Sequence, residues 1–151
     1  MHTIVRYYIR TSLIFLFSGL LLGVYFVVTT YWLGGGYPSL WVSAHTHVIL
    51  IGFVMMMILG VAQWMFPRPL KSDKHYSPGR AFFVYYLLTI STAVRFISEL
   101  IAPYSRMRLF EHLTAAASLG QVLAFILFFY NIWTRIRPMG SQLREAKGEK
   151  F

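Results

Sequence analysis

Residues 41–67 read WVSAHTHVILIGFVMMMILGVAQWMFP, a stretch without aspartate, glutamate, lysine or arginine. A bilayer core about 30 Å thick is crossed by about 20 apolar residues in α-helical conformation. The stretch is long enough for this crossing, and it ends at Pro67, a usual kind of helix stop. It therefore predicts a transmembrane helix that contains two histidines, His45 and His47.

Three further apolar runs flank this one, and the predicted spans cover residues 9–32, 42–66, 81–102 and 113–133. Each run is continuous and lacks the ten-residue alternation of barrel strands, which favours helices. Of the 151 residues 57% are hydrophobic and 13% charged, against about 25% charged in soluble domains. We therefore predict an all-α integral membrane protein, with a four-helix transmembrane domain over residues 1–140 and a polar tail over residues 141–151.

Basic residues predict the orientation of the chain. They lie near the N-terminus, in the second loop and after the fourth span: Arg6, Arg10, Arg68, Lys71, Lys74, Arg80, Arg135, Arg137, Arg144, Lys147 and Lys150. The positive-inside rule then places both termini in the cytoplasm, at the inner (cell) membrane. The net charge of +9 is accordingly assigned to orientation and anionic lipid rather than to nucleic acid.

Arg106 and Arg108 depart from this pattern, because they lie in the third loop, which the prediction places outside. The rule is statistical, so they are either an ordinary exception or residues that face a bound anion.

The two histidines are the strongest functional signal, because an ionisable side chain within a span is costly. Neutral imidazole is a good ligand for iron, copper or zinc. Residues two apart point about 200° apart around an α-helix, so His45 and His47 cannot both bind one metal. Ser43 and Thr46 are placed to orient the two rings. The alternative is that both histidines only form hydrogen bonds with neighbouring helices.

Glycines suggest how the helices pack. Gly52 follows His45 by seven residues, two α-helical turns, and is predicted to leave a flat space beneath it. Close helix packing is the alternative for Gly52 and Gly60, and it is the favoured interpretation for the GxxxG pair Gly19 and Gly23.

The other polar residues within or beside the spans remain open to two interpretations each. Arg95 and Glu99 share one helix face, which predicts a buried ion pair or, for Glu99, a proton route. Gln121 and Asn131 are predicted to form hydrogen bonds between helices, and His112 is either a further metal ligand or a helix-entry residue. The absence of cysteine excludes disulfides and thiolate metal sites.

The stretch from His45 to Gly52, followed by the ending Trp64-Met65-Phe66-Pro67-Arg68, resembles the tenth helix of the heme–copper oxidase catalytic subunit. That helix carries a His-x-His pair, a glycine seven residues after the first histidine and the same closing motif. Residues 102–108 resemble the exit loop of the next family helix, and the fourth span resembles the last one. The resemblance covers residues 41–133, and this superfamily includes cytochrome c oxidases and nitric oxide reductases.

The resemblance implies a cofactor, heme b, and a set of residues around it. His45 and His47 would be axial ligands of two different hemes, and His112 is a weaker candidate as a ligand. The propionates would contact Arg106, Arg108 and Arg95, and the heme would pack against Gly52 and Met56. Copper is not implied, because nothing in the chain corresponds to the family's three-histidine copper site.

The resemblance also implies an assembly. The family subunit has twelve helices in three arcs of four, so three copies of this chain would restore it, with each heme between two copies. The implied function of this homotrimer is electron transfer, or O2 or NO redox chemistry, with a respiratory electron donor. The alternatives are a heme-based gas or redox sensor and a non-catalytic partner or heme-handling protein of a respiratory complex.

Overall fold

The structure is a computed structural model, and it describes residues 3–67, 69, 73, 75–137 and 140. The predicted tail, residues 141–151, lies outside the described residues, as do His2 and the second-loop residues Arg68, Lys71 and Lys74. All regular secondary structure in the described part is helical. The predicted all-α class is therefore confirmed.

Four long helices make up the described part of the chain. They are α1 (Thr3–Tyr31), α2 (Ser39–Met65), α3 (Pro78–Ile101, extended by the 3-10 turn Ala102–Tyr104) and α4 (Leu109–Ile132, extended by the 3-10 turn Trp133–Arg135). All four are long and apolar enough to cross a membrane. The prediction of four long apolar helices is therefore confirmed.

Helix α1 begins earlier than the predicted span. Its first turns are amphipathic, since Ile4 and Val5 are buried whereas Arg6 and Arg10 are exposed. Apolar content alone did not mark these turns, because the arginines lower it. Packing of the apolar side against the other helices extends α1 beyond its fully apolar part.

Helix α2 is irregular in its middle. Ser39–His47 and Met56–Met65 are α-helical, but Val48–Met55 forms a π-helix with wider, i→i+5 turns. The sequence predicted one uniform α-helix, since a run that is apolar on all sides contains no signal for this change. The π segment begins directly after His47, and such segments occur frequently at functional sites.

The extensive helix contacts join α1 to α2, α2 to α3 and α3 to α4. Gly19 and Gly23 of α1 face α2, where an added Cβ would collide with Ile49 or approach His45. Gly120 of α4 lies against Ser91 of α3 in the same way. The packing role predicted for the GxxxG pair is confirmed.

Arg135 fastens the end of α4 to the end of α2. Its side chain is 4% exposed, and it donates hydrogen bonds to the backbone oxygens of Gln63, Phe66 and Pro67 at 2.9–3.1 Å. A cation at a helix C-terminus satisfies carbonyls that have no partner within the helix. The contact therefore fixes the two helix ends relative to each other.

The loop before α3 is fastened to α4 by Asp73. Hydrogen bonds from the Thr134 hydroxyl and from the backbone N–H groups of His75 and Tyr76 stabilise the carboxylate and lower the pKa of Asp73. Asn131 accepts from the backbone N–H of Ser77 at 2.9 Å and donates to its carbonyl. The predicted interhelical role of Asn131 is thus confirmed as a contact between α4 and the residue that caps α3.

Candidate functional site

His45 faces helix α1. Its Nδ1 lies 3.0 Å from the carbonyl oxygen of Gly19, and the ring of Phe26 packs edge-on against the imidazole at 5.7 Å. A Cβ at Gly23 would lie 3.1 Å from His45 Cε1, so the glycine makes room for the ring. Because a carbonyl oxygen only accepts hydrogen bonds, Nδ1 must carry the proton.

His47 faces a polar contact with α3 instead. Its Nδ1 lies 2.8 Å from the carbonyl oxygen of Ser43 and 3.3 Å from the Ser43 hydroxyl, and that hydroxyl donates to Glu99 Oε1 at 2.9 Å. The predicted orienting role of Ser43 is confirmed. The same prediction was wrong for Thr46, whose hydroxyl donates to the Val42 carbonyl of its own helix.

The Nε2 atoms of the two histidines are the ring nitrogens available for a further contact. Within the described residues neither Nε2 has a hydrogen-bond partner, and neither is among the unpaired atoms sealed from solvent. With Nδ1 protonated, Nε2 carries the lone pair that binds a metal. Metal-ligating histidines usually have this arrangement, with the other ring nitrogen donating to a carbonyl or carboxylate. The two side chains therefore fit the role of axial ligands.

The contact of Ser43 with Glu99 continues into a buried polar chain. Arg95 Nε donates to Glu99 Oε1 at 3.1 Å, and an Arg95 NH group donates to Gln121 Oε1 at 3.2 Å. Gln121 in turn donates to Thr92 at 3.1 Å. The predicted Arg95–Glu99 ion pair and the interhelical role of Gln121 are both confirmed. This chain connects the start of α2 and the last turns of α3 to the middle of α4.

The space predicted beneath His45 is occupied by protein. A Cβ at Gly52 would lie 2.8 Å from the Phe15 ring, and Met56 is fully buried in the core. Gly52 faces α1, as His45 does, but Phe15, which precedes Gly19 by one turn of that helix, fills the space that was predicted to be open. The structure thus shows the packing alternative at Gly52, and likewise at Gly60, which lies against Tyr8.

The remaining predicted site residues lie at the end of the bundle where α2 begins. Trp41 Nε1 donates to the Leu100 carbonyl at 3.0 Å, which brings the start of α2 to the end of α3. Arg106 and Arg108 follow that end, and their side chains are exposed. His112 is exposed in the first turn of α4.

No group of three or more histidine, cysteine, aspartate or glutamate side chains able to hold a metal ion occurs in the described part of the chain. His112 therefore does not join His45 and His47 in one cluster.

Sequence reasoning missed the contribution of α1 to the site, namely the Gly19 carbonyl and the space at Gly23. The GxxxG pair was noticed, but nothing in the sequence assigned its partner face to His45. It also missed the complete polar chain behind His47, because its members are distributed over three helices.

The fold defines the class of protein: a multi-pass, all-α membrane protein whose apolar helix faces contact lipid. No protein-family model matches the chain, and no curated protein or solved structure matches it either.

Proposed function

We propose that this protein is a heme b-binding membrane cytochrome that resembles one third of a heme–copper oxidase catalytic subunit. The observation that carries the proposal is the arrangement of its histidine pair. Both imidazoles donate from Nδ1 to a backbone carbonyl and keep Nε2 free, and they contact different neighbouring elements. This is the donor pattern of metal-ligating histidine.

The hemes are proposed to lie between copies of the chain. One α-helix cannot direct residues two apart to a single iron. Six-coordinate iron with two imidazoles therefore needs His45 from one copy and His47 from the next. Four helices in each of three copies restore the twelve helices of the family subunit, and closed rings are common in homo-oligomers. This arrangement leaves no ligand without a partner.

The propionates are proposed to contact Arg106 and Arg108. Both side chains are exposed, and arginine binds carboxylates through paired hydrogen bonds. A bound anion also accounts for two arginines on the side predicted to be outside. Arg95 is less suited to this role, because Glu99 and Gln121 already engage its guanidinium. Gly52 and Met56 would meet a heme only after movement of the α1 side chains that cover them, so the proposal does not depend on them.

When bound, heme would supply a one-electron redox couple whose potential depends on ligation, burial and nearby charge. The chain itself provides two neutral imidazole ligands, apolar helix faces and cations for the propionates. If both histidines held the heme, the chemistry that would fit best is electron transfer within a respiratory membrane. Chemistry with O2 or NO would fit a heme held by one of them.

The absorption spectrum tests heme binding. Purified wild type, supplied with heme during expression, is expected to show a low-spin bis-imidazole spectrum. His45→Ala and His47→Ala are each expected to lose it, whereas His112→Ala keeps it. Carbon monoxide binding to the reduced protein then distinguishes iron with two histidine ligands, which is not expected to bind it, from iron with a free coordination position. If wild type and both variants hold the same heme, these histidines are not the ligands.

A further inference from the structure

A hydrogen-bonded chain behind His47 has a fixed direction. An ionised glutamate paired with arginine only accepts hydrogen bonds. The Ser43 hydroxyl must therefore donate its proton to Glu99 Oε1, 2.9 Å away. Its oxygen then has only lone pairs to offer His47 Nδ1 at 3.3 Å. The direction from His47 through Ser43 to Glu99 follows from the chemistry of the three groups.

We infer that Glu99, acting through Ser43, is a positioning residue that raises the donor strength of His47 by adding a polarised hydroxyl to the carbonyl that already accepts from Nδ1. The inference rests on the proposed function where it treats His47 as a heme ligand. Glu99 acts on His47 indirectly. Its carboxylate polarises the Ser43 hydroxyl, and this hydroxyl contacts the imidazole. The Ser43 carbonyl, 2.8 Å from Nδ1, accepts the Nδ1 proton, and the Ser43 hydroxyl at 3.3 Å is a second acceptor that Glu99 polarises.

Burial makes this contact effective. Glu99 is 2% exposed, and hydrogen bonds in a medium of low dielectric constant are stronger and polarise one another. Within the described residues the charged group that contacts Glu99 is Arg95, at 3.1 Å. Gln121 holds Arg95 from α4 at 3.2 Å. Arg95 thus holds the carboxylate beside the Ser43 hydroxyl, which contacts His47.

Within the described residues, His45 has the carbonyl acceptor but not the additional hydroxyl that His47 contacts. Its Nδ1 donates to the neutral carbonyl of Gly19, with Phe26 and Gly23 as further neighbours. Outer carboxylates raise the basicity of ligating histidines. His47 should accordingly be the stronger donor of the two ligands, and a stronger donor favours oxidised iron.

The redox potential of the heme-loaded oligomer tests the inference. Ser43→Ala is expected to raise the ratio of reduced to oxidised heme about tenfold at a fixed potential, which corresponds to about 59 mV for one electron. Glu99→Gln shifts the ratio in the same direction. Thr46→Ala, which removes a hydroxyl from the adjacent face of α2, is the matched control and leaves the potential unchanged.

A double-mutant cycle distinguishes an effect of Glu99 that passes through the Ser43 hydroxyl from a direct electrostatic effect of its charge on the heme. If Glu99 acts through Ser43, Glu99→Gln changes the potential less in the Ser43→Ala background than in wild type. Full additivity would overturn the inference. Should Glu99→Gln fail to fold, Ser43→Ala compared with Thr46→Ala decides, and equal potentials for the two would overturn it.

Nitrogen NMR of histidine-labelled protein in lipid nanodiscs gives a readout that needs no heme. The His47 ring is expected in the Nδ1-protonated form, with resonances that move in Ser43→Ala and Glu99→Gln but not in Thr46→Ala. An Nε2-protonated His47, or resonances that do not respond to Ser43→Ala, would overturn the inference. A wild type that never binds heme would refute the proposed function, while this NMR result would still decide the coupling.

Discussion

Only Thr46 separates His45 from His47 in the sequence, yet different parts of the molecule hold the two rings. The α1 backbone at Gly19 holds His45, and Ser43 within α2 holds His47. The sequence predicted that the pair would face two directions, because two helical positions are about 200° apart. It could not predict the acceptors, since these depend on which glycine of α1 comes to lie against α2.

Gly23 should be sensitive to the smallest substitution. The added methyl group of Gly23→Ala would lie 3.1 Å from His45 Cε1, so the ring must move and its bond to Gly19 weakens. We expect heme affinity to fall about tenfold, at the lower end of losses seen when a ligand's outer support is changed. Heme titration of the purified protein measures this. Gly36→Ala is the control, because no atom lies within 4 Å of its added Cβ, and equal affinities for the two variants would contradict the account.

Among the helices, α2 shows which structural features could be predicted from the sequence and which could not. Its existence and approximate ends followed from a long apolar run that stops at Pro67. The π segment Val48–Met55 did not follow, because every position around this part of the helix is apolar and no periodicity marks the change. Gly52 nevertheless faces α1, as His45 does, and the Phe15 side chain of α1 occupies the space beside it.

Arg135 is predicted to be the main fastening between α2 and α4. Replacing it by glutamine leaves buried carbonyls of α2 without partners, and we expect unfolding to become easier by about 2–4 kcal/mol. Denaturation in mild detergent, followed by loss of helical signal, measures this. Arg6→Gln removes an exposed arginine from α1 and serves as the control. Equal stability of the two variants would show that the Arg135 contacts are not important for the fold.

At the scale of the whole molecule, the helices contact one another chiefly in chain order, and large apolar side chains remain exposed. Phe17 of α1 and Leu119 of α4 are 69% and 72% exposed. Lipid covers such faces, and further copies of the chain can cover part of them. Composition predicted the four spans well because lipid imposes length and hydrophobicity on each span. Assembly depends on which exposed faces complement each other, and one sequence does not reveal this.

The predicted orientation can be tested with single cysteines, since the chain contains none. Gly36 lies in the link between α1 and α2, and Gly79 lies at the start of α3; both are exposed. A membrane-impermeant thiol reagent applied to intact cells should label Gly36→Cys and leave Gly79→Cys unlabelled until the membrane is opened. The reverse pattern would mean that the termini face outward.

Heme binding between two copies of the chain is tested most directly by complementation between two variants that each lack one histidine. His45→Ala and His47→Ala are expected to lack bis-imidazole heme when each is purified alone. When the two variants are co-expressed, an interface that pairs the intact His47 of one chain with the intact His45 of its neighbour is complete again. The account predicts that the low-spin spectrum returns in a mixed oligomer with the mass of three chains. A mixed oligomer without that spectrum, or a monomer that holds bis-imidazole heme, would contradict it.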